Sequence, residues 1–237
     1  EIDHIIIEPK TPYQNSTINC SNGSVTSEIT SLLYIWYVNE TSVKYENRSQ
    51  LENGNFTTND KIDCAIIPQS NGRVLAHWSF DEGSGTTSYE LVNNHSAILS
   101  NTDWVRGRNF YAINTSDEKN ASVFNATHTV NASEVFTHEV WIMRKEATQG
   151  DIFTLGGFRT EIRANKFRAY LPGEITEKLN STANIPLNEW THIALTYNNT
   201  KLFLYINGAK DNATTVTGNL NPYSGNITFG TNPTSGN

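Results

Sequence analysis

The sequence predicts an all-β protein made of two domains. Helix signals are nearly absent from the 237 residues, and apolar residues alternate with polar ones in short runs that Gly, Asn and Pro interrupt at strand spacing. The segment PQSNGR, residues 68–73, separates a first part organised around two cysteines from a longer second part. These observations predict a β-sandwich over residues 1–73 and a larger β domain over residues 74–237.

Ten segments have the pattern of strands. In chain order they read IIIEP, LLYIWYV, KIDCAII, VLAHWSF, HEVWIMR, DIFTLGG, EIRANKFRAYL, THIALTY, KLFLYI and NITFG. Hairpin turns are predicted at Ala164-Asn165, Asn198-Asn199-Thr200 and Asn207-Gly208, because Asn and Gly accept the positive φ of tight turns.

Charge and hydropathy exclude several kinds of partner. The net charge of −7 argues against nucleic acid and anionic membranes, and no apolar run approaches the roughly 18 residues of a membrane span. The chain does not begin with a basic and then apolar segment, so we expect any signal peptide to have been removed.

N-glycosylation sequons are unusually frequent. There are 15, whereas chance pairing of 30 Asn with 47 Ser and Thr predicts about 6. The excess predicts an extracellular, densely glycosylated surface, although an Asn- and Thr-rich β protein also gathers sequons by accident. The middle residue of the sequon at Asn19 is Cys20, which makes Asn19 a weak acceptor. The predicted acceptors are Asn15, Asn22, Asn39, Asn47, Asn55, Asn94, Asn114, Asn120, Asn125, Asn131, Asn180, Asn198, Asn212 and Asn226.

Cys20 and Cys64 are the only cysteines. In an extracellular protein an isolated pair is most simply one disulfide, and in a reducing compartment it would be two buried thiols. Trp36 lies between them in LLYIWYV, as suits the core of a sandwich whose two sheets are joined by one bridge.

The first domain resembles an immunoglobulin-like domain of the type found in arrays on prokaryotic, archaeal-type cell-surface proteins. The segments that carry the resemblance are IIIEPKTP, INC, YIWYVNE, NFTTNDKIDC and AIIP. Ile62 stands where antibody domains have the Tyr of the tyrosine corner, two residues before the second Cys.

The second domain resembles the laminin-G-like, concanavalin-A-like jelly rolls. VLAHWSFDEGSGTTSYELVNNHSAIL, HEVWIMR and NEWTHIALTYNNTKLFLYINGAKD carry this resemblance, which covers most of residues 74–230. Members of the family usually end with a strand that we do not find after NITFGTNPTSGN, so the jelly roll is expected to lack its final strand.

The resemblance also implies candidate ligand sites. Family members often bind Ca²⁺ through carboxylate and amide oxygens at a sheet edge, and no other cofactor is expected. The matching residues here are Asp81, Glu90, Asn93, Asn94 and Asp117, although Asp81 and Glu82 would also serve simply to cap and solvate a turn.

Lectin sites of this fold use exposed aromatic residues. Trp104 and Tyr223 lie in loop-like sequence and are the candidates for stacking on an extracellular glycan, with ordinary packing at the domain rim as the alternative. Trp78, Trp141 and Trp190 lie in predicted strands, where we expect them to pack in the core.

The sequence does not predict an enzyme. Some glycosidases of this fold carry E-x-D-x-E on one strand, and EIDHI begins in the same way, but its third position is Ile5 and Glu8 falls on the opposite face. The six histidines show no metal-ligand spacing, and neither a nucleophile elbow nor a phosphate loop is present.

The opening stretch also resembles the closing strand that the jelly roll lacks. It comprises Glu1, Ile2, Asp3, His4, Ile5, Ile6 and Ile7. Three interpretations are open: the first strand of the sandwich, a strand that closes the chain's own jelly roll, or a strand donated to a neighbouring copy. Head-to-tail donation would build an open filament.

The function predicted from these observations is a non-catalytic, N-glycosylated structural subunit of the cell surface. Its expected partner is a second copy of itself, joined head-to-tail into a filament or stalk. The alternative is an adhesin or lectin-like module that binds a glycan or matrix partner, with or without Ca²⁺.

Overall fold

The computed structural model describes the greater part of the chain. The described residues are 5–10, 16–22, 31–43, 48–69, 74–92, 96–100, 102–115, 123–124, 135–146, 149–171, 178–216 and 227–230. The secondary structure within them is strand, apart from one turn of 3₁₀ helix at Asn53–Asn55. No helix in this described part is long and apolar enough to cross a membrane.

Twenty strands are present among the described residues, and the all-β prediction is confirmed. They are β1 Ile5–Glu8, β2 Ile18–Asn22, β3 Ser31–Val38, β4 Thr41–Ser42, β5 Gln50–Leu51, β6 Ile62–Gln69, β7 Thr87–Tyr89, β8 Ser96–Ile98, β9 Asp103–Arg106, β10 Tyr111–Asn114, β11 Val123–Phe124, β12 Phe136–Met143, β13 Gly150–Leu155, β14 Phe158–Arg163, β15 Lys166–Tyr170, β16 Leu179–Asn180, β17 Trp190–Tyr197, β18 Lys201–Ile206, β19 Ala209–Thr215 and β20 Ile227–Phe229.

The chain forms two compact units. Unit 1 contains residues 1–96 and 104–113, and unit 2 contains residues 97–103 and 114–237. The sequence placed residues 74–96 and 104–113 in the jelly roll, whereas the structure groups them with unit 1. Side-chain contacts within unit 1 explain this grouping. The ring centroids of Phe110 and Tyr37 are 4.5 Å apart, and Arg106 forms a salt bridge of 2.6 Å with Glu40.

Unit 1 contains two three-stranded sheets, in the orders β1-β2-β5 and β4-β3-β6. The disulfide between Cys20 in β2 and Cys64 in β6 joins them, which confirms the predicted bridge. Trp36 is fully buried beside it and donates its indole N–H to the Arg48 carbonyl at 2.8 Å. A sandwich with a Trp against its bridge is what the sequence predicted, and an immunoglobulin-like topology remains a prediction.

One predicted strand of unit 1 is wrong. Residues 74–80, VLAHWSF, form no strand and pair only through an isolated bridge between Trp78 and Glu90. The His77 amide donates to the Glu90 carboxylate at 2.9 Å, so the side chain takes a hydrogen bond that a neighbouring strand would otherwise accept.

Unit 2 is a sandwich of two sheets. One sheet contains the order β16-β15-β14-β13-β20-β11-β8, and the other has the order β12-β17-β18-β19. Their facing sides are apolar: Phe158, Ile162 and Phe167 are buried on the first sheet, and Leu195 and Leu202 on the second. The predicted turns are confirmed, because Ala164, Asn165, Asn199, Asn207 and Gly208 all have positive φ.

Candidate functional site

The outer face of the first sheet of unit 2 carries a cluster of charged side chains. In the strand register, Glu161 on β14 lies opposite Asp151 on β13 and opposite Arg168 on β15, so these three side chains share one face. Arg159, also on β14, lies opposite Thr154 on β13 and opposite Tyr170 on β15. The intervening residues on β14, Phe158, Thr160 and Ile162, are buried on the opposite face. We call Asp151, Arg159, Glu161 and Tyr170 the acidic cluster.

A β-bulge brings Asp151 into this cluster. Plain alternation along DIFTL would place Asp151 on the same side as Phe153 and Leu155, in the apolar interior. The register shifts between Asp151 and Phe153, so Asp151 lies opposite Glu161 while Phe153 lies opposite Thr160. The extra residue therefore turns the Asp151 carboxylate out of the core and towards Arg159.

Arg159 is the centre of the acidic cluster. Its Nε donates to the Asp151 Oδ1 at 2.9 Å, its Nη2 donates to the Glu161 Oε2, and its guanidinium lies over the Tyr170 ring, 4.9 Å from the centroid. The Tyr170 hydroxyl donates to the Glu161 Oε1 at 2.7 Å. Both oxygens of Glu161 are therefore engaged, and one guanidinium serves two carboxylates.

The second oxygen of Asp151 is the open position of the acidic cluster. Asp151 Oδ2 is buried and has no hydrogen-bond partner among the described residues. Burial raises the pKa of the Asp151 carboxyl to about 6, against the lowering effect of Arg159. The side chains of Asp151 and Glu161 are 1% and 4% exposed, whereas that of Arg159 is 22% exposed. A hydroxyl donor placed here would satisfy a buried acceptor.

Two of the residues predicted to bind Ca²⁺, Asp81 and Glu90, accept hydrogen bonds from backbone amides. Asp81 Oδ1 accepts from the Tyr111 amide at 3.3 Å, and Glu90 Oε1 accepts from the amides of His77 and Val92 at 2.9 and 2.7 Å. Burial raises the pKa of the Asp81 carboxyl to about 6. The part of the chain described contains no group of three or more His, Cys, Asp or Glu that could hold a metal.

In each of these two carboxylates one oxygen accepts from backbone amides, and a calcium site that includes them stays a prediction. The neighbouring Glu82 accepts from the Ser88 hydroxyl and the Tyr89 amide, so it caps the turn as in the alternative interpretation. Asn93, Asn94 and Asp117 lie outside the described residues.

Of the two predicted stacking residues, only Trp104 is described. It lies on β9, half-buried, and its indole N–H donates to the Gly85 carbonyl at 2.8 Å. Tyr223 lies outside the described residues. Neither residue is part of the acidic cluster.

Comparison with protein families identifies unit 2. Residues 115–237 match the family model described as the concanavalin A-like lectin/glucanases superfamily, which is more than half of the chain. The chain belongs to this superfamily. The jelly-roll prediction is thereby confirmed for residues 115–237, which we call the lectin/glucanase domain. No curated protein matches the sequence.

Solved structures resemble the chain at low identity. A mutant of Trypanosoma rangeli sialidase displaying trans-sialidase activity shares 15% identity at a TM-score of 0.42, and the match covers 65% of this chain but 27% of that one. A carbohydrate-binding module from Bacillus subtilis shares 14% at 0.36, covering 57% and 92%. Domain 4 of an extracellular arabinanase from Geobacillus stearothermophilus, in complex with arabinotriose, shares 15% at 0.45, covering 65% and 91%. At these identities and TM-scores the likenesses carry no conclusion about the activity of this chain.

One aromatic residue of the lectin/glucanase domain was misplaced by the sequence prediction. Trp141 was expected in the core, but it lies on the outer face of β12 and is 42% exposed. Strand alternation is the reason: His138 and Val140 point inward, so Glu139 and Trp141 point outward. The charged Glu139 at the same phase was the signal in HEVWIMR that could have revealed this.

The acidic cluster itself was missed at the sequence level. Arg159, Glu161 and Tyr170 lie in EIRANKFRAY and its flank, which was recognised only as strand sequence. The turn at Ala164-Asn165 was visible, and it fixes the pairing of Glu161 with Arg168. The position of Asp151 depends on the β-bulge, which no pattern in the sequence predicts.

The described sequons differ in how their side chains are used. Asn39 and Asn198 are exposed in turns, whereas Asn180 and Asn212 are half-buried, and the Asn212 amide donates to the Asn180 carbonyl at 2.8 Å. Asn22, Asn55 and Asn114 are also half-buried. Asn15, Asn47, Asn94, Asn120, Asn125, Asn131 and Asn226 lie outside the described residues.

The opening stretch is described from Ile5 onwards. Ile5–Glu8 pair with β2 of the same chain, with Ile7 opposite Cys20 and packed against the core of unit 1. This is the arrangement expected of a first strand of the sandwich. Glu1, Ile2, Asp3 and His4 lie outside the described residues.

Proposed function

We propose that the chain is an extracellular, N-glycosylated and non-catalytic glycan-binding protein. The observation that carries the proposal is the acidic cluster, where a buried carboxylate oxygen of Asp151 has no hydrogen-bond donor among the described residues and the neighbouring Arg159 side chain is 22% exposed. Sugars are dense in hydroxyl groups, which donate to carboxylates and accept from guanidinium groups. Membership of a superfamily of lectins and glucanases supports carbohydrate as the ligand class.

The geometry favours binding over hydrolysis. A glycosidase needs one carboxylate free to attack or to activate water and a second to deliver a proton. Here the Glu161 oxygens are held by the Tyr170 hydroxyl and by Arg159, and Asp151 shares the same guanidinium. Arg159 therefore bridges one oxygen of each carboxylate, as suits a site that positions hydroxyl groups.

An extracellular location is supported by the disulfide and by the sequon excess. The Cys20–Cys64 bridge persists in oxidising compartments. A chain isolated from its native source should lose mass on treatment with an N-glycosidase. An unchanged mass would contradict the glycoprotein part of the proposal.

Affinity electrophoresis in gels containing soluble arabinan, levan, β-1,3-glucan or alginate tests the binding function. The wild-type chain should be retarded by at least one of these polysaccharides. Asp151→Asn should weaken that retardation about tenfold or more, since a hydrogen bond to a charged group contributes about 1.5–3 kcal/mol. Glu189→Gln, which alters an exposed carboxylate of the same unit, is the matched control and should bind as the wild type.

Three outcomes would contradict the proposal. The first is a folded wild-type chain that none of the four polysaccharides retards. The second is full affinity in Asp151→Asn. The third is release of new reducing ends from any of them, which would overturn the non-catalytic assignment.

A structural subunit that assembles head-to-tail is the second candidate function. It is favoured by β1, an edge strand of its sheet in the described part of unit 1, whose Ile5 is 43% exposed. An unpaired strand edge can accept or donate a strand between copies. Sedimentation velocity should then show concentration-dependent polymers that added EIDHIII peptide shortens, and monomers at every concentration would contradict it.

A further inference from the structure

The outer face of the second sheet of unit 2 carries aromatic rings rather than a plain polar surface. Pairing places Trp141 beside His192, and places Tyr205 and Phe203 on the same face through their partners Ala194 and Thr196. We call Trp141, His192, Tyr205 and Phe203 the ring platform. The residues between them on β17 and β18, including Ile193, Leu195 and Leu204, are buried in the core.

Trp141 is the accessible end of the ring platform. It is 42% exposed, and its ring lies 5.0 Å from that of His192 at an interplanar angle of 42°. The His192 Nε2 lies 3.6 Å from a carboxylate oxygen of Glu139, two residues before Trp141 on the same face of β12. The side chains of Glu139 and His192 are 64% and 22% exposed, so both reach the solvent beside the indole.

The other end of the ring platform has a cation. The Lys210 Nζ lies 4.9 Å from the centroid of the Phe203 ring. Across the strands, the register runs from Glu139 through Ala194 and Tyr205 to Lys210. Ala194 has the smallest side chain of these four residues, so the side chain between Glu139 and Tyr205 projects least from the sheet.

This combination narrows the kind of ligand. Outward-facing positions of an antiparallel sheet are normally polar, so several rings on such a face mark a binding surface. The buried core of a protein–protein interface is depleted of charged residues, whereas here the Glu139 carboxylate and the Lys210 ammonium group directly adjoin the rings. Rings with hydrogen-bonding groups at their margins suit a ligand that is apolar on one face and polar at its edge.

A pyranose ring has this distribution, because its C–H bonds point from one face and its hydroxyls from the rim. We propose that the ring platform is a second carbohydrate-binding surface. One sugar of a glycan chain stacks on the exposed indole of Trp141 and places its hydroxyls against Glu139 and His192. Tyr205 lies two strands across the sheet from Trp141 and two residues along it, about 12 Å away, in the path of a following sugar. A sheet face, unlike an enclosed pocket, accommodates an extended chain.

This inference is independent of the acidic cluster, because the ring platform belongs to β12, β17 and β18 and the cluster to β13, β14 and β15. A domain with both surfaces would bind two glycan segments, and two weak contacts on one polysaccharide strengthen each other. Either surface could also exist without the other.

Parallel variants decide the question by affinity electrophoresis with arabinan, levan, β-1,3-glucan and alginate. Trp141→Ala should weaken retardation at least fivefold in one or more polysaccharides, Trp141→Phe should restore part of it, and Glu139→Gln should weaken it by a smaller factor. Glu189→Gln is the matched surface control. Trp141 and Glu139 are partly exposed, so these variants should fold, as circular dichroism can verify.

The pattern of losses separates the two proposals. Binding that is lost in Asp151→Asn and unchanged in Trp141→Ala overturns the ring platform alone, and the reverse pattern overturns the acidic cluster alone. A wild-type chain that binds none of the four polysaccharides contradicts both. If Trp141→Ala leaves every retardation unchanged but converts a dimer into a monomer in sedimentation, the occupant is a second copy of the chain and the carbohydrate assignment is wrong.

Discussion

His138 should make the stability of unit 2 depend on pH, and replacing it with Phe should remove that dependence. The side chain points into the core from β12, stacks on Phe153 at 4.5 Å and meets the edge of Phe158 at 5.9 Å. Its Nε2 has no hydrogen-bond partner among the described residues. Burial lowers the pKa of His138 from 6.5 to about 4, because an imidazolium there would have no water and no counter-charge.

The sign follows from proton binding. Between pH 6.5 and 4 the unfolded chain binds a proton at His138 that the folded chain does not bind, so the free energy of unfolding falls as the pH falls. Each pH unit in this window is worth about 1.4 kcal/mol, and the whole window amounts to about 3 kcal/mol. His138→Phe keeps the ring contacts and removes the titration. The variant should therefore gain about 3 kcal/mol relative to the wild type between pH 7 and pH 4.

Urea unfolding of the full chain at half-unit steps from pH 4 to 7.5 measures this gain. Tryptophan fluorescence and circular dichroism should be fitted together, because two units can unfold in separate transitions. Asp81 and Asp151 also titrate in this window, but both are present in wild type and variant and cancel in the difference. Parallel pH curves for the two proteins would refute the reasoning, since they would mean that His138 is not held neutral by the fold.

Three further predictions concern single contacts. Replacing Cys20 and Cys64 together by Ser should cost unit 1 about 4 kcal/mol by the chain-entropy estimate for a bridge spanning 44 residues; chemical denaturation measures it, and an unchanged midpoint would contradict it. Asp81→Asn should gain stability relative to the wild type as the pH rises from 3.8 to 6. Burial raises the pKa of this carboxyl to about 6, so its ionisation opposes folding. Calorimetry at pH 4 and pH 7 tests this, and an equal difference in stability between the two proteins at both pH values would count against it. Arg159→Leu should destabilise unit 2 by about 3–5 kcal/mol at pH 7, since it leaves two buried carboxylates without their cation; unfolding at pH 7 measures this loss, and a smaller loss in the double variant with Asp151→Asn would show that the charges are coupled.

Much of the fold could be predicted from short stretches of sequence. THIALTY and KLFLYI alternate with period two and are joined by Asn and Thr residues that form a turn, and the structure pairs them as β17 and β18. The cysteines and the Trp between them indicated a bridged core before any pairing was known. The strand predicted at VLAHWSF does not form, because the His77 amide donates its hydrogen bond to the Glu90 side chain and not to a neighbouring strand.

The residue types of the candidate site are visible in the sequence, but their arrangement in space is not. The sequence predicted a lectin-like alternative and directed attention to Trp104 and Tyr223, whereas the exposed indole of unit 2 is that of Trp141. Glu161 and Arg168 become neighbours through a visible hairpin turn, but Asp151 joins them only through a bulge whose position depends on pairing with β14.

The sequence by itself determined the all-β class, the hairpins, the disulfide-bridged core and membership of the lectin/glucanase superfamily. These properties follow from periodicity and turn chemistry, which act over a few residues, and from segments long enough to be specific. Only the tertiary structure decided that Asp151 faces Arg159, that His138 is buried without a partner and that residues 74–96 pack with unit 1. Each of these depends on the register between strands distant in sequence, because that register decides which face every side chain takes.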